Sequence, residues 1–412
     1  MKSGKLHYGW IVIFMGFLTT IAAHGFGRMS YTIILPAMKD GLQFNNTQMG
    51  LIGTGNFFGY LAMALVGGFL AARFGSRIVI TSALVLMGMT MTLTGLAQSL
   101  GYAVTMRLLT GLGNGASYVP AMALGSAWFA MKRRGLATGI VSAGIGAGTM
   151  ISSIGVTRIL QAFGPEGWRT SWYILGVAVV VVSCFVYWFV RSRPEEKGLQ
   201  QIGSEQTPDT PSSSLDTSKV SSLQWTSVYK MGSVWYLGVV YFFYGLSYVI
   251  YMTFFKEFLI REIGFSRVEA GLLWAIVGGL SILCGVIWGG ISDHLGRSKG
   301  SALAYLVLAL SYIIYALIQN KFGIYLSAIL FGLTAWSIPT IMAAAAGDFV
   351  GPRLAPAGLG FITLFFGIGQ FMGPTLGGYL ADVSKTFTIP FLFAGGISLI
   401  GMVLSFYLKK PN

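Results

Sequence analysis

The sequence predicts an all-α membrane protein, with twelve transmembrane helices in two pseudo-symmetric six-helix bundles. Three observations carry this: scarce charge, twelve long apolar runs, and a repeat of the first half in the second. Of 412 residues, 54% are hydrophobic and only 10% charged, against about 25% charged in an ordinary soluble domain. A chain this long and this poor in charge cannot cover a water-exposed globule. Its 57 glycines and 18 methionines suit closely packed membrane helices. The two cysteines, Cys184 and Cys284, sit inside apolar runs, so neither a disulfide framework nor a metal cluster is implied.

Twelve runs have the length of a bilayer-crossing helix, about 20 residues. They are 9–36, 46–71, 78–98, 101–124, 135–160, 170–190, 234–257, 267–291, 301–319, 322–346, 356–381 and 387–408. The first continues past Ala22 and Ala23, so it reads as a helix rather than a cleaved signal peptide. The one long polar stretch is 191–232, rich in Ser, Thr, Pro, Glu and Gln, a linker composition. It divides an N-terminal six-helix bundle, 1–190, from a C-terminal six-helix bundle, 233–412.

Basic residues orient the chain. With the N-terminus in the cytoplasm, 17 of the 27 lysines and arginines fall inside and eight fall on the outer side. That bias places both termini and the linker in the cytoplasm. Topology then accounts for most of the net +14, and no nucleic acid is needed. Two arginines, Arg28 and Arg107, lie within runs.

The halves repeat at a constant offset of 221. Phe44 matches Phe265, Gly50 matches Gly271, and Leu51 matches Leu272. Gly68, Gly75 and Gly111 match Gly289, Gly296 and Gly332; Gly139, Gly146 and Gly148 match Gly360, Gly367 and Gly369. Parallel six-helix repeats with a site between them are an architecture of secondary transporters.

Short motifs sharpen this. GGFLAARFGSR (67–77) follows the second run, and GGISDHLGRSK (289–299) follows the eighth. Both resemble the loop signature of the major facilitator superfamily, glycine, three residues, Asp, a base, one residue, Gly, then bases. The resemblance implies a charge network at the cytoplasmic mouth, with Arg73, Arg77, Asp293 and Arg297 as gating residues. Ala72 stands where the first copy's acid belongs, and His294 where a base is usual. RLLTGLGNG (107–115) resembles the superfamily's Arg-x3-Gly-x-Gly signature, which implies a gating or structural role for Arg107. GQFMGPTLGG (369–378) resembles its Gly-Pro signature, which usually sits in the fifth helix of exporters; the fifth run here has only GIGAG (144–148).

A narrower resemblance begins at HYGWIVI (7–13), which is similar to the first helix of monocarboxylate and oxalate–formate carriers. Arg28 lies 18 residues after Trp10, at the spacing of the substrate-binding lysine of monocarboxylate carriers. Where those carriers hold an Asp and an Arg in the eighth helix, this chain has Ser281 and Gly285. GFGRMSYTIILP (25–36) and YFFYGLSY (241–248) also resemble a less characterised bacterial branch of the superfamily.

The acids avoid the middle of every run, so Arg28 has no carboxylate at its depth. Intramembrane charges usually mark a pathway, and a planar donor fork suits a carboxylate ligand. Arg28 lies about 27 Å along the helix from Trp10 at 1.5 Å per residue, in the outer half, where snorkelling or bonding to helix carbonyls is the competing reading. His24, one turn before it, is a candidate ligand or proton carrier, or a packing residue. Gly25 and Gly27 between them can loosen the helix. Tyr241, Tyr244, Tyr248 and Tyr251 fall along one helical face, read as a wet cavity wall, with helix packing as the competing reading. Asn114, Tyr118, Trp336 and Gln370 complete the candidate substrate-binding set, each weighed against a helix–helix bonding role. Lys256 and Glu257 read as an outer-gate or interface pair.

These observations point to a secondary transporter moving a small organic anion, with a monocarboxylate as the leading class, across the cytoplasmic (inner) membrane by alternating access. Its expected partners are that anion, the bilayer and, for symport, protons carried by His24, Glu257 or the substrate. No cofactor or metal is expected, and the chain is expected to be a monomer. The rivals are an exporter of amphipathic or cationic compounds and a non-transporting membrane sensor. An enzyme is disfavoured, because no nucleophile–base set, metal-ligand cluster or phosphate loop appears.

Overall fold

The computed structural model describes residues 7–203, 230–350 and 355–408. Among them the regular structure is helical, apart from one isolated parallel bridge between Phe129 and Ile202. Six long helices come from the first half: α1 (Tyr8–Leu42), α2 (Asn46–Phe74), α3 (Ser76–Thr94), α4 (Leu100–Trp128), α5 (Met131–Phe163) and α6 (Gly167–Phe189). Six come from the second: α7 (Gly232–Arg261), α8 (Arg267–Leu295), α9 (Arg297–Leu317), α10 (Lys321–Val350), α11 (Ala355–Ser384) and α12 (Thr388–Phe406). All but α4 are apolar and long enough to cross a bilayer, with α5 and α6 running as one apolar stretch and α2 bent by 47°. α4 has the length, 29 residues, but its Gly, Ser, Asn and Arg residues lower its hydropathy; Arg107, Asn114 and Ser117 among them are buried.

Two faces follow from the cross-links. Tyr8 bonds the carbonyl of Phe189, Trp128 that of Arg191, and Ser298 that of Ser405. The helix ends at these residues share one face, the terminal face. Arg267 reaches Asp40, and Glu262 accepts from Thr386, so these ends share the far face. Around the belt between them exposed side chains are apolar, such as Val177 at 56% and Val286 at 81%. That is the arrangement a hydrocarbon solvent requires, with backbone groups satisfied inside each helix.

The repeat is visible in the backbone. α2 and α8 both have 29 residues, and each begins at a capping box, Asn45 with Gln48 and Ser266 with Glu269. Each ends at a glycine with positive φ, Gly75 at 85° and Gly296 at 82°, a conformation that favours glycine. The matched glycines make matched contacts. A side chain on Gly111 would meet Asn56 of α2, and one on Gly332 would meet Val277 of α8, the residue that matches Asn56. Gly148 lies against Gly25 of α1, and Gly369 against Leu246 of α7, again a matched pair. Gly139 and Gly360 both face open space.

The same device joins the halves. On the α2–α11 seam, Gly50 rests on the Pro374 carbonyl and Gly378 on that of Asn46. On the α5–α8 seam, Gly271 rests on Thr157, and Ser153 Oγ donates to the Gly271 carbonyl at 2.5 Å. Small residues let backbones approach where lipid offers no hydrophobic drive for association. The Gly-Pro motif of α11 is therefore used here for seam packing.

The stretch read as linker begins as a strap on the first half. Ile202 N–H donates to the Trp128 carbonyl and its own carbonyl accepts from Ala130, both at 3.0 Å. Gln201 donates to the Ala127 carbonyl. Residues 204–229 of that stretch lie outside the described residues.

Gly111→Val should force α2 and α4 apart and lower stability by about 1–3 kcal/mol, the usual cost of overpacking. Gly139→Ala, which meets nothing, should leave stability unchanged or raise it by up to about 1 kcal/mol. Thermal unfolding of the two purified variants in detergent checks the contrast.

Candidate functional site

The middle of α1 is not an ordinary helix. Ile21–Met29, IAAHGFGRM, forms a wide π-helical segment between two α-helical halves. Gly25 and Gly27 permit it, and Gly25 also lets α1 touch Gly148 of α5. Such a turn frees carbonyls, and α4 supplies donors for two of them. Asn114 Nδ2 donates to the Ala23 carbonyl at 2.6 Å, and Arg107 Nη1 to that of Gly27 at 2.8 Å. Arg107 is fully packed between Tyr31 and Trp172, with its guanidinium 5.1 and 4.9 Å from their rings. It lies at the middle of α1, away from the terminal-face loops.

The widened segment carries His24 and Arg28. Arg28 is 5% exposed. Its guanidinium sits 4.3 Å from the Phe57 ring and 4.9 Å from the Tyr60 ring of α2. Its Nη2 crosses to the other half and donates to the Tyr248 hydroxyl at 3.1 Å. It does not snorkel to the far face. Among the described residues no carboxylate pairs with it, and its Nε has no partner. His24 packs against Tyr118 with the rings tilted by 53° and their centres 4.2 Å apart, and it meets Tyr60 edge-on at 5.8 Å, with Nδ1 unpartnered.

From the second half, Gln370 Nε2 also donates to the Tyr248 hydroxyl. Trp336 stands 5.9 Å from Tyr248 at the break of α10, where its backbone N–H is taken by Cys284 Sγ at 3.1 Å. Trp336 Nε1 and Gln370 Oε1 are both buried without partners. Four polar atoms of one neighbourhood, on His24, Arg28, Trp336 and Gln370, thus have no protein partner among the described residues.

The tyrosine row of α7 is not a wet wall. Tyr241, Tyr244 and Tyr248, each at most 4% exposed, form a stack with Phe366. Tyr244 donates to the Ala335 carbonyl, and only Tyr248 reaches Arg28. Tyr251 turns away to bond Ser327 at 2.8 Å among Tyr312, Tyr315 and Phe331. His24, Arg28, Tyr118, Tyr248, Trp336 and Gln370 therefore converge. Tyr244 backs them in the stack, and Asn114 supports them from behind α1. Phe57 and Tyr60 were missed by sequence reasoning. Their i, i+3 spacing on the second run was the available signal, a common one in so aromatic a chain.

At the terminal face, Arg297 donates to Asp293 at 2.6 Å and to Asp348 of α10 at 2.8 Å. Arg77 instead donates to the Tyr187 carbonyl at 2.7 Å, and Arg73 lies over its neighbour Phe74. Both networks stay within their own half.

The far face is pinned across the halves. Lys39 of α1 pairs with Glu257 of α7 at 2.7 Å. Asp40 takes Arg261 and, at 3.2 Å, Arg267. Asp382 of α11 accepts from the Asn46 and Thr47 N–H groups at the start of α2, at 3.1 and 2.7 Å. Thr32 adds a bond to the Met252 carbonyl at 2.8 Å. Lys256, fully buried beside Glu257, has no partner for Nζ among the described residues.

Known transporters resemble this chain along most of its length. The chain is 23% identical to the probable sulfoacetate transporter SauU of Cupriavidus necator, over 93% of this chain and 90% of that one. It is 22% identical to the hexuronate transporter of Bacillus subtilis, over 93% and 91%. A putative tartrate transporter of Agrobacterium vitis is 23% identical over 91% and 84%. Among solved structures, a bacterial homologue of the human lysosomal transporter Spinster, in an inward-facing and unoccupied conformation, superposes with a TM-score of 0.80. It has 16% identity and covers 98% of both chains, so it bears on the fold alone. The family model described as "Uncharacterised MFS-type transporter YbfB" matches residues 20–406. The chain belongs to that family of major facilitator transporters.

Proposed function

We propose that this protein carries a small organic anion across the cytoplasmic membrane by alternating access, with Arg28 binding the anionic group. One observation carries the reading: a buried guanidinium between the two halves that has aromatic rings and a hydroxyl around it but, among the described residues, no carboxylate partner. Cation–π contacts and a phenol soften the cost of its burial and leave the charge for a ligand. The named substrates of three relatives, sulfoacetate, hexuronate and tartrate, are all organic anions. One cationic fork beside neutral donors and acceptors favours a monocarboxylate.

With the terminal face in the cytoplasm, the described cross-half bonds lie at Arg28 or farther toward the outside, and the state seen is closed outward. Helices α4 and α10 carry Tyr118 and Trp336, both partly exposed, toward the cytoplasmic side. Exchange with the opposite state requires the Lys39–Glu257 and Asp40–Arg261 pairs to part.

Uptake into proteoliposomes from a panel of labelled carboxylates and sulfonates, with and without a pH gradient, tests the substrate class and separates proton symport from uniport or exchange. Accumulation of cations alone would sink the reading. Arg28→Ala should raise KM about 10- to 150-fold, the range of a lost charged hydrogen bond of about 1.5–3 kcal/mol; Arg28→Lys should fall between. An unchanged KM would remove Arg28 from the site.

The double variant Lys39→Met with Asp40→Asn should favour the outward-open state. A cysteine placed at Thr32, in a background with Cys184 and Cys284 replaced, should then react faster with a soluble maleimide. Equal rates would mean that these pairs do not hold the far face shut. Asn114→Ala frees the Ala23 carbonyl. It should weaken substrate binding through α1, with a KM rise smaller than that of Arg28→Ala.

A further inference from the structure

The two halves treat their terminal-face loops unequally. In the second half Arg297 is neutralised by Asp293 and Asp348. The matching positions of the first half are Ala72 and Ala127. Among the described residues no carboxylate pairs with Arg73, Arg77 or Arg193. These three arginines line a hollow of about 620 Å³ together with Ser76 and Ser192. Glu196 is the one acid in its lining, and its Oε1 is turned to the backbone N–H groups of Ser192 and Arg193, at 2.9 and 3.1 Å. Three positive charges therefore face one negative charge.

A second cavity of about 370 Å³ adjoins the hollow and shares Phe74 and Ile78 with it. It runs between α2 and α3 over the surface of α4, past Leu70, Leu86 and Leu112. The bend in α2 lies beside it. Phe74 and Ile78 are more than half exposed, at 52% and 58%, so the groove opens to the bilayer side. A basic hollow at the membrane surface thus continues into an apolar groove.

We propose that hollow and groove together bind one anionic phospholipid of the terminal-face leaflet. Its phosphate sits among Arg73, Arg77 and Arg193, and an acyl chain lies in the groove. Arginine forks match phosphate oxygens, and basic clusters at a membrane surface attract anionic headgroups. A soluble anion would leave the groove unfilled. A choline lipid would bring a cation to the arginines. The proposal stands apart from the central site, because it uses neither Arg28 nor any residue near it.

Intact-protein mass spectrometry of the purified full chain in detergent reads bound lipid directly. Titration with dioleoylphosphatidylglycerol is expected to give at least tenfold tighter retention than dioleoylphosphatidylcholine. Arg73→Gln with Arg77→Gln should weaken it about 30-fold, from about 1 kcal/mol per basic residue. Leu86→Trp, which fills the groove and keeps all three arginines, should also weaken it, and so tests the proposal if the double variant does not fold. Arg297→Gln, in the self-neutralised copy, should not. Equal retention of the two lipids, displacement by an equal concentration of glycerol 1-phosphate, or indifference to Leu86→Trp would each overturn the proposal.

Discussion

A charge that cannot be given up, held inside a bilayer, shapes the centre of this molecule. An arginine in a membrane helix costs about 2.5–3.5 kcal/mol on insertion scales. The surroundings of Arg28 reduce that cost without cancelling the charge. Phe57 and Tyr60 present ring faces, and Tyr248 presents a hydroxyl. The ring faces belong to one half and the hydroxyl to the other, so the charge sits where the halves meet. The widened segment of α1 aims it there. Asn114 and Arg107 in turn hold that segment, because the carbonyls it frees need donors. The order of dependence runs from α4, through the backbone of α1, to the guanidinium.

Much of this was legible in the sequence, for reasons particular residues make plain. The runs found the twelve long helices of the described residues, because length and apolarity are written locally, and α4 is the least apolar of them. The run 9–36 stopped short of the end of α1 at Leu42, since Lys39 and Asp40 look like loop residues until their partners on α7 and α8 are known. The absence of an acid near Arg28 was a reading of the whole chain, and it needed no geometry. The tyrosine row shows where periodicity runs out. By helical angle Tyr251 lies only about 20° from Tyr244, yet Tyr244 stays in the stack while Tyr251 bonds Ser327 among Tyr312 and Tyr315, so the neighbouring helices decide and the period does not. Phe57, Tyr60 and the Asp382 cap depend on contacts between distant segments, and no local pattern encodes them.

The internal repeat divides into a conserved frame and divergent chemistry. Glycines matched at an offset of 221 do the same packing work in both halves, down to matched contact residues such as Asn56 and Val277. The charged positions do not follow the frame. Asp293 and Asp348 answer to Ala72 and Ala127, and Arg28 answers to Val249. Backbone approach is constrained identically wherever two helices cross in the same way, whereas a charge is constrained only by what it must bind. Function in this chain is therefore to be sought where the two halves disagree.

The cap that Asp382 places on the start of α2 has a thermodynamic sequel. Its carboxylate satisfies two N–H groups that no helix can satisfy from within, and it meets the positive end of the helix dipole. This bond joins the halves, so opening the far face must surrender it to water. In the proposed cycle the empty carrier then rests with that face shut, and only a minority of molecules stand ready for a substrate arriving from outside. The apparent affinity from that side is lowered by the same fraction. Two compartments would therefore read different affinities from one binding site, and the difference would be set by a helix end that is no part of that site.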